Sequence, residues 1–338
     1  MRTSVRAGAR ELYACLEDLR PLFGKGNNLI PVLFKVKADK LIVCCTSGCI
    51  YYNRISVINE GNYSGEITVQ YKNILDFIPK SGEVELQFHS YGLVFSSNDA
   101  DIKLPIGYSI VTEPELKDIE FIPVDSQNFR IGINNMLNMG LATIYKTEKN
   151  INIYGNVSTL MYPNVILQAR TPGLPLAVTL TQDFAKHLSR FAPKAIASNK
   201  VDSVILKRDD AYLEIPAEPL KEENNFMKHM NGLSEPIRLD TEHYIDKLRN
   251  MSKLGNNVRA KLAIFKDGVR VTVEQDNISI STDLGNCSDS VLKVLYLPLS
   301  LYISMFKALG STVIEMLYGK EIICLRSPAL IIIARAIL

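Results

Sequence analysis

The 338-residue chain has no tryptophan, only four histidines and almost no excess charge, because 38 basic residues are balanced by 36 acidic ones. Its longest uninterrupted apolar run, Ala329–Ala334, has six residues, far fewer than the roughly 20 that a membrane-spanning helix needs. The basic start, Met1–Arg6, leads into no apolar signal segment. We therefore expect no membrane association and a location in the cytoplasm, either of a bacterium or of an infected cell. The balanced charge neither requires nor excludes nucleic acid as a partner.

The chain also lacks the short motifs that mark common catalytic sites, since it has no glycine-rich phosphate loop, HExxH or GxSxG. Three of the six cysteines lie in one stretch, Cys44–Cys49, with no second cluster, and the histidines are scattered. A structural metal site would need paired thiolates and further ligands. We therefore predict buried or half-buried free thiols, no metal and no cofactor.

What the sequence does contain is a pattern that recurs three times. One landmark is a turn followed by a strand, and a second is a strand that runs into a helix. The equivalent residues of the first landmark are Leu41, Ile151 and Val269. Those of the second are Val69, Thr179 and Leu297. Both sets are spaced by 110 and then 118 positions, so two independent landmarks predict a tandem repeat of about 110 residues.

Each repeat reads as helix, strands, helix, strands. Amphipathic patterns predict an opening helix at Leu12–Phe23, within Ser126–Asn138, and after a candidate N-cap at Asp240. The second helices are predicted at Tyr71–Ile78, Asp183–Leu188 and Pro298–Leu309, each followed by a β-hairpin. We predict an α+β fold of three tandem repeats, each with two helices packed on antiparallel sheets. Linkers near Glu113–Glu115 and Pro216–Asn225 divide the chain into domains 1–114, 115–220 and 221–338.

This organisation resembles the bacterial-type DNA sliding clamp, the beta subunit of the replicative polymerase. Arg20–Lys25 followed by Leu29–Leu33 is similar to the family's first helix end and next strand, and Thr46–Gly48 stands where the family carries a Thr-Asp pair. The chain ends on an apolar strand with a short tail, Ile331–Leu338, as clamps do. It departs from the family in lacking a Met-Pro tail and in being slightly basic, which suits a phage-encoded clamp.

The resemblance implies a non-enzymatic processivity factor. Two chains would close head-to-tail as a homodimer ring, with helices inside and sheets outside, around double-stranded DNA of any sequence. The ring would tether a DNA polymerase and the clamp loader through short linear motifs.

Basic residues on the helices are the candidates for the DNA-facing surface, because a sliding ring needs mobile cations and no base readout. Lys186 and Arg190 share one face of a predicted helix. The full set of candidates is Arg6, Arg10, Lys25, Lys72, Lys80, Lys186, Arg190, Lys247, Arg249, Lys253 and Lys307.

The resemblance also implies a peptide pocket against the C-terminal tail and a subunit interface. The pocket candidates are Gly155, Val157, Leu160, Ile332, Ile333, Ala334, Arg335 and Ala336. The interface candidates are Ile102, Leu104, Met251 and Leu254.

Two alternatives remain open from the sequence. One is a monomeric factor of the same fold that is held to DNA by charge, although a net charge of +2 is low for that mechanism. The other is an enzyme with a nucleophile at Cys44, Cys45 or Cys49, although no base is found nearby in the sequence.

Overall fold

The computed structural model describes residues 3–336 apart from 24–28, 73, 99, 112, 115–118, 140–149, 182–190, 201, 221–229, 243 and 255–257. The α-helices delimited within these residues are α1 (Ala9–Glu17), α2 (Ser126–Met139), α3 (Tyr244–Met251) and α4 (Leu299–Leu309). No helix in the described ranges is both long enough and apolar enough to span a membrane.

The strands follow the three predicted repeats. Those of the first repeat are β1 (Ser4–Gly8), β2 (Ile30–Lys37), β3 (Lys40–Ser47), β4 (Cys49–Ile58), β5 (Gly65–Tyr71), β6 (Glu83–His89), β7 (Gly92–Ser96) and β8 (Asp101–Pro105). Those of the second are β9 (Ile122–Pro123), β10 (Asn150–Gly155), β11 (Val157–Tyr162), β12 (Val165–Arg170), β13 (Leu176–Thr181), β14 (Ala195–Lys200), β15 (Ser203–Arg208), β16 (Ala211–Pro216) and β17 (Glu218–Pro219). Those of the third are β18 (Ile237–Asp240), β19 (Arg259–Ile264), β20 (Asp267–Gln275), β21 (Ile278–Asn286), β22 (Lys293–Pro298), β23 (Val313–Tyr318), β24 (Ile322–Arg326) and β25 (Leu330–Arg335).

Every repeat contains the same two antiparallel modules. In the first module the fourth strand pairs with the first, giving the orders β5-β2-β3-β4, β13-β10-β11-β12 and β22-β19-β20-β21. In the second module a strand that precedes the opening helix joins the closing three strands, giving β1-β6-β7-β8, β9-β14-β15-β16 and β18-β23-β24-β25. The threefold α+β repeat predicted from the sequence is therefore confirmed.

Neighbouring repeats are joined strand to strand at two seams. At the first seam β4 pairs with β16, with Tyr52 opposite Tyr212. At the second seam β12 pairs with β25, with Ile166 opposite Ile333. The third strand of one repeat's first module thus pairs with the last strand of the next repeat's second module. The chain forms two compact units, 1–126 with 187–218 and 127–186 with 219–338, and each contains one seam.

One of the two sequence landmarks was wrong in the second repeat. Val69, Thr179 and Leu297 lie on the fourth strands β5, β13 and β22, as predicted. Leu41 and Val269 lie on β3 and β20, the second strands of their first modules. Ile151 instead lies on β10, which is the first strand of its module. Gly155, with φ of 59°, ends β10 just before the turn to β11. The polar pair Lys149 and Asn150 has the sequence pattern of a hairpin turn, but Asn150 begins β10.

The helix predicted at Tyr71–Ile78 was also wrong, because the structure has a single 3-10 turn there, Leu75–Phe77. Ile78 is extended, with φ of −80° and ψ of 123°, as the following Pro79 favours. The predicted helix at Asp183–Leu188 lies outside the described residues. The third, α4, is confirmed, since it begins directly after Pro298 and ends at Gly310, whose φ is 56°.

Candidate partner-binding and assembly surfaces

Most of the basic residues predicted to face DNA lie exposed on or beside helices. Arg10 is on α1, Lys247 and Arg249 are on α3, Lys307 is on α4, and Lys253 is in the 3-10 turn Ser252–Leu254. Lys72 and Lys80 are exposed on either side of the turn Leu75–Phe77. Lys25, Lys186 and Arg190 lie outside the described residues.

Two of these cations lie in one recess, and a third is held in ion pairs. Arg249 and Lys307 line one recess of about 280 Å³ between α3 and α4, together with the hydroxyls of Ser300 and Ser304. Such a group of cations and hydroxyls suits phosphate oxygens. Arg249 also forms an ion pair of 2.9 Å with the exposed Asp246. Arg6 is on strand β1 and forms ion pairs with both Glu60 and Glu83, so its charge is already compensated.

The residues predicted for the tail pocket divide between the two faces of the second seam. Leu160 and Ile332 belong to one continuous row that is fully buried, and Ala334 is on the same face of β25. These three are core residues that a partner could not reach. Ile333 and Arg335 alternate with them and point to the opposite face, as the two-residue period of a strand requires.

Ile333 and Arg335 do line a cavity of about 720 Å³, which we call the tail pocket. Its apolar wall is formed by Ile333, Ile166, Ile322, Leu233 and Met161. Beneath it, Ile333 packs with buried Leu317 and Cys324. Lys320, Glu321 and Arg335 stand at the rim. The sequence missed the β11–β12 turn and residues 231–233, which lie far from the tail along the chain and gave no local signal.

Val157, also predicted for the pocket, lines a second cavity of about 640 Å³ on the same face of the sheet. Three arginines from three different strands line it, and we call it the arginine groove: Arg170 on β12, Arg238 on β18 and Arg326 on β24. Gly155 ends β10 and lines neither cavity, and Ala336 is buried beyond the end of β25.

The equivalent face of the first seam is covered by the chain itself. Tyr52 forms an apolar cluster there with Leu33, Ile42 and Cys44, and Val111 from the connection between repeats is buried against it. The Glu113 carboxylate holds this connection in place through an ion pair of 2.7 Å with Lys35. A segment of the same chain therefore covers the first seam, whereas the tail pocket at the second seam is open.

Among the strands that have one edge without a strand partner in the described part of the chain, two occupy the positions equivalent to those joined at the seams. These are β8, at one end of the twelve-stranded sheet, and β21, at one end of the four-stranded sheet. Ile102 and Leu104, predicted for the subunit interface, lie on β8. Met251 and Leu254, the other two candidates, are buried and half-buried at the end of α3. The sequence missed β21, whose Ile278 and Ile280 are 53% and 36% exposed.

The cysteines are free thiols, as predicted, and five of the six are buried. Burial raises the pKa of Cys44 and Cys49 to about 12. At neutral pH both therefore remain protonated, whereas a nucleophile must be a thiolate. Cys45 is buried as well, so none of the three thiols considered as a nucleophile from the sequence is exposed to a substrate.

Comparison with known proteins identifies the fold. No family model matches the sequence, and no curated protein matches it. Among solved structures, the DNA polymerase sliding clamp of Caulobacter crescentus superposes with a TM-score of 0.80 at 12% identity, covering 99% of this chain and 100% of the clamp. The Helicobacter pylori beta clamp, crystallised with 3,4-difluorobenzamide, superposes with a TM-score of 0.79 at 12% identity and the same coverage. The chain therefore has the complete sliding-clamp fold.

Proposed function

We propose that this protein is a DNA sliding clamp, a non-catalytic processivity factor that encircles duplex DNA and tethers replication proteins. The observation that carries the proposal is the seam pattern, in which the third strand of the first module in repeats one and two pairs with the last strand of the second module in the next repeat. Applied to the third repeat, this pattern requires a partner for β21, and the unpaired last strand is β8 of the first repeat. A second copy supplies that strand.

The side chains at the two free edges support this pairing. Ile102 and Leu104 of β8 stand opposite the buried Phe95 and Leu93, and Ile280 of β21 stands opposite the buried Val273. Joining the edges would continue one apolar row across the junction, as Leu167 and Ile332 do at the second seam. Two copies joined in this way at both ends have no free seam edge, so the contact closes into a ring.

The basic residues on the helices would line the hole of such a ring. Arg249 and Lys307 share one recess, with Lys247 on α3 and Lys253 in the 3-10 turn that follows it. These side chains would offer exposed cations to the phosphate backbone. These contacts would be independent of sequence and weakened by salt. The tail pocket would hold an apolar linear motif of a polymerase or loader, because a few buried side chains supply most of the affinity of such peptides.

Primer extension on a circular single-stranded template tests this function, using the cognate polymerase and loader. We expect longer products per binding event when the protein is present. On nicked circular duplex we expect the loaded protein to stay bound after a high-salt wash and to be lost once the circle is cut, because linkage is topological. Loss from the uncut circle during the high-salt wash would instead support a monomer held by charge, and no gain in product length would contradict the clamp function.

A further inference from the structure

The arginine groove lies directly beside the tail pocket on the solvent-facing side of the second seam. Ile331 lines the groove and Ile333 lines the pocket, and both project from β25 on the same face. Because the two residues are two positions apart on the strand, their Cα atoms are separated by about 7 Å. A single extended peptide of a few residues could therefore contact both cavities at once.

The groove carries a local excess of positive charge. Among the described residues its lining includes Arg170, Arg238 and Arg326 but only one carboxylate, Glu315. Glu315 forms an ion pair with Arg326. Arg170 and Arg238 are exposed, and neither forms an ion pair with a carboxylate of the described residues. Gln168 and Ser327 add hydrogen-bonding groups to the same lining.

We propose that the arginine groove binds acidic side chains of the same partner peptide whose apolar residues occupy the tail pocket. This inference rests on the proposed clamp function and adds a chemical requirement to it, namely glutamate or aspartate beside the apolar anchors. Guanidinium groups pair with carboxylates through two parallel hydrogen bonds. The occupant is therefore an acidic peptide, and its charge sets partner choice as much as its apolar residues do.

Fluorescence anisotropy with synthetic peptides tests the proposal on the full chain. Each labelled peptide has two leucines and a phenylalanine as its apolar core. Two peptides carry three glutamates, one before the core and the other after it. Each has a counterpart with three glutamines at the same positions. We expect one glutamate peptide to bind about tenfold more tightly than its glutamine counterpart at low salt, an advantage that decreases as salt is added.

Two double variants assign that advantage to the groove. Arg170→Gln with Arg238→Gln should remove it and leave binding of the glutamine peptides unchanged. Arg259→Gln with Lys266→Gln removes the same charge from exposed positions outside both cavities and should keep it. The proposal that the groove binds acidic side chains is contradicted if glutamate and glutamine peptides bind equally well. It is also contradicted if both double variants lose the glutamate advantage to the same extent. In either case the tail pocket remains supported as the apolar site. If no peptide binds, the tail pocket fails and this proposal fails with it.

Discussion

The carboxylate of Asp18, just after α1, has only 9% of its side chain exposed. It accepts hydrogen bonds from the guanidinium of Arg208 on β15 and from the Tyr51 hydroxyl at 3.2 Å. Burial raises the pKa of Asp18 and the Arg208 guanidinium opposes that rise. The pair thus holds a buried charge that joins α1 to the strands of the following repeat.

Replacing Arg208 with methionine should destabilise the protein by about 2 kcal/mol at neutral pH, because Asp18 is left buried without its cation. The methionine retains the apolar contact with Phe191, over whose ring Arg208 lies. The pKa of Asp18 in the folded variant should rise further above that of the unfolded chain. The folded state then takes up a proton first as pH falls, so the loss should shrink towards about pH 5.

Urea unfolding of the wild type and the variant at both pH values measures this loss. Lys194→Met, which removes an exposed ion pair with Asp209, is the control and should cost little. A loss for Arg208→Met that stays constant between the two pH values would show that Asp18 does not cause it.

Met161 provides a test of the tail pocket that spares the core, because it is 39% exposed at the cavity wall. Met161→Asp places a charge where an apolar side chain of the partner must be buried. We expect peptide affinity to fall about tenfold or more, with an unchanged unfolding midpoint. Tyr154→Asp, at a more exposed position on the same sheet face, should leave affinity unaltered. Unchanged binding to Met161→Asp would locate the peptide elsewhere.

At the scale of elements, the connection after β8 closes the first seam as a bound peptide would. Val111 is 6% exposed within this contact, and removing its two methyl groups in Val111→Ala should cost about 1.5 kcal/mol. The connection should also become more accessible to protease near Glu113. Limited proteolysis of Val111→Ala and of Val313→Ala, an exposed valine on β23, checks this. Equal cleavage of both would mean that Val111 does not anchor the connection.

The hairpins and opening helices were predictable because their signals are local. Turn residues such as Asp209 and Asp210 stand between two alternating runs, and Leu12, Leu16 and Leu19 recur at helical spacing. The cavities were not predictable, because they combine side chains from separate repeats. Ile166 and Ile333 are neighbours only through the pairing of β12 with β25, and the sequence offers no local sign of that register.

At the scale of the whole molecule, the proposed ring depends on the two edge strands β8 and β21. Ile280→Lys places a charge in the apolar row that would join β21 to β8 of the second copy. We expect the wild type to sediment near twice 37.8 kDa and this variant to sediment as a folded monomer at micromolar concentration. Ile122→Lys changes an exposed isoleucine on β9, at the opposite end of the twelve-stranded sheet, and should stay dimeric. A wild-type monomer would contradict ring closure.

Covalent connection makes the seams unequal even though they share one strand pattern. The seams β4–β16 and β12–β25 form within one chain, so their effective concentration is fixed by the polypeptide and does not fall on dilution. The contact between β8 and β21 of different copies obeys mass action. Any ring built from this chain would therefore open first at the contact between β8 and β21. An opening for DNA entry would need no specialised hinge, because no peptide linker holds that contact together.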